Sequence, residues 1–165
     1  MESILEAGVL TLSDKASRGE RIDESGRVAA EMLEGEGFTI LRQEIVPDDR
    51  LKIIETLREW VDGVGLSLIV TSGGTGVSPT DVTPQAMEEV LDYEVPGFAE
   101  AMRAESLKKT PHAMISRAMA GVRRTCLIIN LPGSPRGVRE NLSVILPALK
   151  HAVLKLGGDT SDCAT

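Results

Sequence analysis

Residues 71–76 read Thr71-Ser72-Gly73-Gly74-Thr75-Gly76, and the carboxylate of Asp81 follows shortly after. Glycines let backbone N–H groups approach an anion closely, and neighbouring hydroxyls add donors. A carboxylate beside such a cradle can hold Mg²⁺ against a bound phosphate. The pattern is not a Walker loop, because no lysine follows the glycines, and Gly74-Thr75-Gly76 lacks the third glycine of a dinucleotide fingerprint. The plainer reading of the same residues is a structural turn. Asn130-Leu131-Pro132-Gly133-Ser134 forms a second candidate loop, and Asp14, Asp48 and Ser116 are further candidates. Asp14 either meets a ligand or caps a turn. One of Asp48 and Asp49 is expected to cap the helix that follows, which leaves the other free. A common site requires these strand ends to be neighbours, and the linear sequence does not settle that.

The elements that must carry these residues alternate. Residues 3–12 read as a first strand, and 15–23 as a polar loop. A helix is expected over 24–36, with Val28, Met32 and Leu33 on one face. Residues 38–46 alternate toward their end, which places that strand near a sheet edge. A helix follows to about Val64, and the apolar run ending in Thr71-Ser72 is a buried strand. Thr83 is expected to cap a helix reaching about Tyr93, and Pro96-Gly97 to break the chain before a helix over 98–107. Residues 110–124 show no clear period. Thr125–Leu131 is a second apolar strand, and 138–156 a helix that Pro147 must kink or split. Residues 157–165 are expected to be a flexible tail. Strands alternating with helices imply one α/β domain over 1–165, a mostly parallel sheet with helices on both faces.

Composition narrows the partners. The net charge is −7, the pI about 4.9 and the aromatic content 2%, values that argue against nucleic-acid binding. No apolar run approaches the roughly 20 residues of a membrane-spanning helix. Met1-Glu2-Ser3-Ile4 offers neither a basic region nor a long apolar one, so no signal peptide is expected. Cys126 and Cys163 show no disulfide or metal spacing, which suits a reducing, cytoplasmic setting. Residues 101–125 nevertheless gather Arg103, Lys108, Lys109, Arg117, Arg123 and Arg124 against Glu105, a local field suited to a small anionic ligand.

Thr71–Gly76 followed by Thr80-Asp81-Val82-Thr83-Pro84 resembles the signature of the molybdopterin-binding family, which includes bacterial MogA and MoaB and the corresponding domain of gephyrin. Val9–Asp14, Val46-Pro47-Asp48, Pro96-Gly97-Phe98, Met114-Ile115-Ser116-Arg117, Leu127–Pro135 and Leu146–Ala152 extend the resemblance along the chain. It implies a three-layer α/β/α sandwich, assembly as a homotrimer, and a place in molybdenum cofactor biosynthesis. It also implies adenylylation of molybdopterin: the pterin's terminal phosphate attacks the α-phosphorus of ATP, with Mg²⁺ assisting. The family's essential aspartates fall on Asp48 and Asp81, which we assign to Mg²⁺, since two carboxylates beside phosphates are the wrong sign without a metal. Ser116 matches a serine tied to substrate handling. Asp14, Thr71, Ser72, Gly73, Gly74, Thr75, Gly76, Asn130, Pro132, Gly133 and Ser134 fall on ligand-contacting positions. A Cβ at Gly74 is expected to block binding while sparing the fold. Many relatives carry Arg where this chain has Thr80, and Arg117 or a basic residue near 123 is the expected substitute. The alternatives are a non-catalytic, MoaB-like pterin-binding protein and a structural trimer.

Overall fold

The computed structural model describes residues 5–163. Six strands form one sheet in the order β2-β1-β3-β6-β5-β4: β1 (Glu6–Leu12), β2 (Thr39–Val46), β3 (Leu68–Ser72), β4 (Tyr93–Glu94), β5 (Ala120–Arg123) and β6 (Cys126–Leu131). β2, β1, β3 and β6 are mutually parallel, whereas β5 and β4 extend the far side antiparallel. β2 lies at the edge its alternating sequence predicts. Residues 3 and 4 of the expected first strand lie outside the described residues.

Both faces of the sheet are covered. Helices α2 (Glu24–Gly35), α5 (Pro96–Leu107) and α6 (Pro135–Leu156) pack one core against Val9, Val70 and Ile129. Helices α3 (Arg50–Arg58) and α4 (Thr83–Val90) pack the other against Leu10, Ile69 and Ile128. Alternate residues of each central strand thus enter opposite cores, which is why these strands read as unbroken apolar runs. A short helix α1 (Asp14–Ser17), capped by the Ser13 hydroxyl, stands where a loop was expected.

Several boundaries differ from expectation for physical reasons. α3 runs on through a π-helical turn, Glu59–Val64, which seats the buried Trp60 ring over Gly8; a Cβ on Gly8 would lie 2.6 Å from that ring. Of the two aspartates expected to share the roles, Asp49 caps α3 by accepting from the Lys52 N–H at 3.1 Å, which leaves Asp48 free of capping. Thr83 is the first residue of α4 rather than its cap, and its hydroxyl donates to Gly73 O at 3.0 Å. Pro96 starts α5 instead of preceding it. The unreadable segment holds a 3₁₀ turn (Pro111–Ile115) and β5. Pro147 does not split α6: Leu142, Ile145, Leu149 and Val153, on both sides of it, are buried in one core, so packing spans the lost hydrogen bond.

Parallel pairing brings four strand ends to one edge. Leu12 aligns with Val46, Thr11 with Ser72, and Ser72 with Leu131. From β1 the chain moves outward to β2, then returns to β3 and continues the other way to β6. The order therefore reverses between β1 and β3, and ligands bind at such switch points.

Candidate active site

The loops leaving β1 and β2 are locked together by their own carboxylates. Asp14 N–H donates to Asp48 Oδ2 at 3.2 Å, and Asp48 N–H donates to Asp14 Oδ1 at 2.9 Å. Asp14 thus spends one carboxylate oxygen on the Asp48 N–H, and Ser13 rather than Asp14 caps α1. Burial pushes the Asp48 carboxyl above the usual carboxylate range; the Asp14 N–H opposes this, and the negative charges of Asp14 and Asp81 add to it. A cation near Asp48 would relieve both the burial and the repulsion.

The glycine loop leaves β3 in a shape that only glycine adopts freely. Gly73 has φ 106° and Gly74 φ 68°. A Cβ on Gly73 would run into the Leu12 carbonyl, and one on Gly74 into the Thr83 hydroxyl. A Gly74 side chain therefore strains the fold as well as filling the cavity, contrary to the expectation that the fold is spared. Gly76 differs: it has no positive φ, and a Cβ there would lie 2.7 Å from Asp81 Oδ2. Asp81 itself accepts from the Ser78 N–H at 3.0 Å. Among the described residues, the N–H groups of Gly74, Thr75 and Gly76 donate to no protein acceptor, which leaves them available to an anion.

The second loop packs against the first. Ser72 Oγ donates to Pro132 O at 2.8 Å, Gly73 N–H to Leu131 O at 3.0 Å, and Ser25 Oγ to Gly133 O at 2.8 Å. Ser134 caps α6 by accepting from the Gly137 N–H. Thr71 and Asn130 are fully buried and bonded to each other at 3.0 Å, and the Asn130 oxygen also accepts from the Met119 N–H. Thr71 lines neither cavity of the site, and its hydroxyl is used within the protein.

Two cavities flank these loops. One, of about 440 Å³, is lined by Ser72, Gly73, Gly74, Asp48, Asp81 and Gly133, with Asp23, Glu24 and Arg21 on its rim. The other, of about 490 Å³, is lined by Ser116, Thr75, Gly76, Asn130 and Pro132, with Arg103, Lys109, Arg136 and His112 and a single acid, Glu140, which pairs with Lys109 and Arg136. Ser134 belongs to both. One cavity is acidic and the other basic, and the glycine loop separates them. The candidate residues are therefore gathered at one sheet edge but divided between two chambers. Sequence reading missed Arg21, Asp23, Glu24 and Arg136, whose positions carry no motif, whereas Lys109 and Arg103 belong to the basic field it singled out. Among the described residues no cluster of three metal-ligating side chains occurs.

The substitutes expected for the missing Arg fare differently. Arg123 and Arg124 both pair with Asp62 on the π-helical turn and line neither cavity, so neither replaces it. Arg117 directs its guanidinium into the glycine loop itself, donating to Gly76 O at 2.7 Å and Asp81 O at 2.9 Å. The cationic side chain is committed to protein carbonyls rather than offered to a phosphate.

Comparison with known proteins gives consistent results. Residues 8–151 match the family described as the probable molybdopterin binding domain. The chain is 44% identical over 148 residues to the molybdopterin adenylyltransferase of Helicobacter pylori, covering 88% of this chain and 84% of that protein. It is 42% identical over 156 residues to gephyrin of Dictyostelium discoideum, but spans only 22% of that longer protein. The crystal structure of the molybdopterin biosynthesis enzyme MoaB from Thermus thermophilus superposes with a TM-score of 0.89 at 50% identity, covering 94% of this chain and 98% of that one.

Proposed function

Because the chain belongs to the molybdopterin-binding domain family, we propose that it adenylylates the terminal phosphate of molybdopterin with ATP in molybdenum cofactor biosynthesis. The observation that carries this reading is the pairing of Asp48 and Asp81 in one cavity beside the glycine loop, with the Asp48 carboxyl raised by burial and by its acidic neighbours. Carboxylates so placed fit Mg²⁺, and Asp48 and Asp81 would hold it; bound there, the ion would neutralise charge on the phosphates of ATP. The free N–H groups of Gly74, Thr75 and Gly76 would receive phosphate oxygens along the wall between the chambers. Ser116 and the basic rim of the larger cavity would receive the anionic pterin substrate. A P–O bond forms between the pterin phosphate and the α-phosphorus, the bond to the β-phosphate breaks, and pyrophosphate leaves. The nucleophilic phosphate is already ionised near neutral pH, so no general base is required. Catalysis then rests on positioning and charge neutralisation.

Pyrophosphate release from Mg-ATP that depends on added molybdopterin is the expected result. Tight molybdopterin binding without turnover would support the non-catalytic reading instead. No helix among the described residues is long and apolar enough to cross a membrane. A cytoplasmic location is part of the proposal and rests on the cysteine usage of the sequence. We also propose a homotrimer. The apolar faces of α5 and α6 are largely used in the chain's own core. Ile22, Leu51, Val77 and Met114 are more than half exposed and offer other apolar surface. Light scattering at micromolar concentration should return three times the chain mass.

A further inference from the structure

The structure assigns to Arg117 the role of positioning residue for the Asp81 carboxylate, acting through the backbone of the loop that carries it. This deepens the adenylylation reading and rests on it. Segment 76–81 leaves the sheet edge as an exposed excursion, with Val77 61% exposed and Ser78, Pro79 and Thr80 open to solvent. No regular element supports it between β3 and α4. Inside it, Asp81 N–H donates to Ser78 O and Ser78 N–H to Asp81 Oδ2, both at 3.0 Å, which closes a small turn but does not fix that turn to the protein.

Arg117 supplies the anchor. Its backbone N–H donates to Thr75 O at 2.7 Å, its Nε to Gly76 O at 2.7 Å, and a terminal guanidinium nitrogen to Asp81 O at 2.9 Å. One planar side chain therefore ties the start of the excursion to its end. Only a guanidinium offers two donors in a fixed fork; the single ammonium of lysine serves as a point charge. The neighbouring Ser116 is held separately. Arg103 donates to Ala118 O at 2.8 Å and, more weakly, to Ser116 O at 3.4 Å. Loss of the Arg117 side chain should thus loosen Asp81 while leaving the Ser116 side of the site in place.

The test compares Arg117→Met and Arg117→Lys with the wild-type protein. In steady-state assays both variants should lose roughly a hundredfold in kcat, the scale of an ångström-level misplacement of a positioned group. Both should need more Mg²⁺ for half-maximal rate, with KM for molybdopterin within about threefold of wild type, the pattern of an interaction lost mainly in the transition state. Hydrogen–deuterium exchange on the ligand-free proteins provides a readout independent of turnover. Peptides spanning 74–82 should exchange faster in both variants, and peptides spanning 126–131 should not change. If wild type binds molybdopterin but does not turn over, the adenylylation reading fails, and the exchange result still decides the anchor. Unchanged exchange over 74–82, full rescue by lysine, or a loss confined to molybdopterin KM would each overturn the assignment.

Discussion

Asp48→Asn separates the site's chemistry from its architecture. Asparagine keeps an oxygen able to accept the Asp14 N–H, and the backbone N–H at position 48 still reaches Asp14 Oδ1, so the β1–β2 lock survives. What is removed is a charge that the folded protein holds at a disadvantage. The Asp48 carboxyl is raised, first by burial and then, despite the bond from Asp14, by the charges of Asp14 and Asp81. An acid raised on folding binds its proton more readily in the native state, so its ionisation disfavours the native state. Below the unfolded carboxylate range, wild type and variant should be equally stable. As pH rises through that range toward the raised native value, the wild-type carboxylate loses stability that the uncharged asparagine keeps. The variant should therefore melt at or above the wild-type temperature at neutral pH. Turnover should move the opposite way. Removing one preorganised electrostatic group costs about 10²–10³ in kcat, or about 2.7–4 kcal/mol. Thermal melts of the ligand-free proteins at acidic and neutral pH, with pyrophosphate release at neutral pH, measure both effects. A variant that is destabilised at neutral pH, or one that retains near-wild-type turnover, would refute the reasoning.

Gly76→Ala should leave the fold intact, because Gly76 has no positive φ, yet the new methyl would press on Asp81 Oδ2. Its kcat should fall at least about tenfold, by the same positional sensitivity, while the melting temperature changes little. Gly74→Ala should lower stability by about 1–3 kcal/mol, the usual cost of a strained backbone position, because φ is 68° and the Thr83 hydroxyl occupies the space; chemical denaturation measures it. Burial pushes the Cys126 thiol up to about 12, whereas Cys163 is exposed. Native alkylation near neutral pH should therefore modify Cys163 alone, and mass spectrometry of the labelled peptides should find Cys126 free until the protein unfolds.

The parallel half of the fold was legible because its signals are long and local. β3 and β6 are buried on both faces, so their runs are apolar throughout, and β2 lies at the edge, where most of its residues stay exposed. The antiparallel extension was not. β4 has two residues and β5 four, too short to show a period, and β5 contains Gly121, which reads as a break. A Cβ on Gly121 would meet the Tyr93 carbonyl at 2.5 Å and would crowd the Leu91 side chain. That close approach of two backbones explains the glycine, and it is set by a partner strand far along the chain. The π-helical turn was hidden for the same kind of reason. Trp60 fits an α-helical stripe by spacing, but its ring must clear the sheet at Gly8, and the wider turn accommodates it.

The site divides along similar lines. Glycines at positive φ and carboxylates after strands announce themselves by residue type, so Gly73, Gly74, Asp48 and Asp81 could be singled out and are found on one cavity. Thr71 and Asn130 carry the same polar character, yet they bond to each other beneath the surface, a pairing across strands that no local pattern encodes. The basic residues were the least legible. Six cations between 101 and 125 look alike in sequence, but the fold uses them differently: Arg123 and Arg124 on Asp62, Lys108 on Glu105, Lys109 on Glu140, and Arg103 and Arg117 on backbone carbonyls at the site. Arg117 spends its donors on two backbone carbonyls, so what it contributes here is a fixed loop rather than a free cation. Thr80 is compatible with this anchor, because its hydroxyl bonds to that of Ser78 within the excursion while Arg117 holds the excursion from outside.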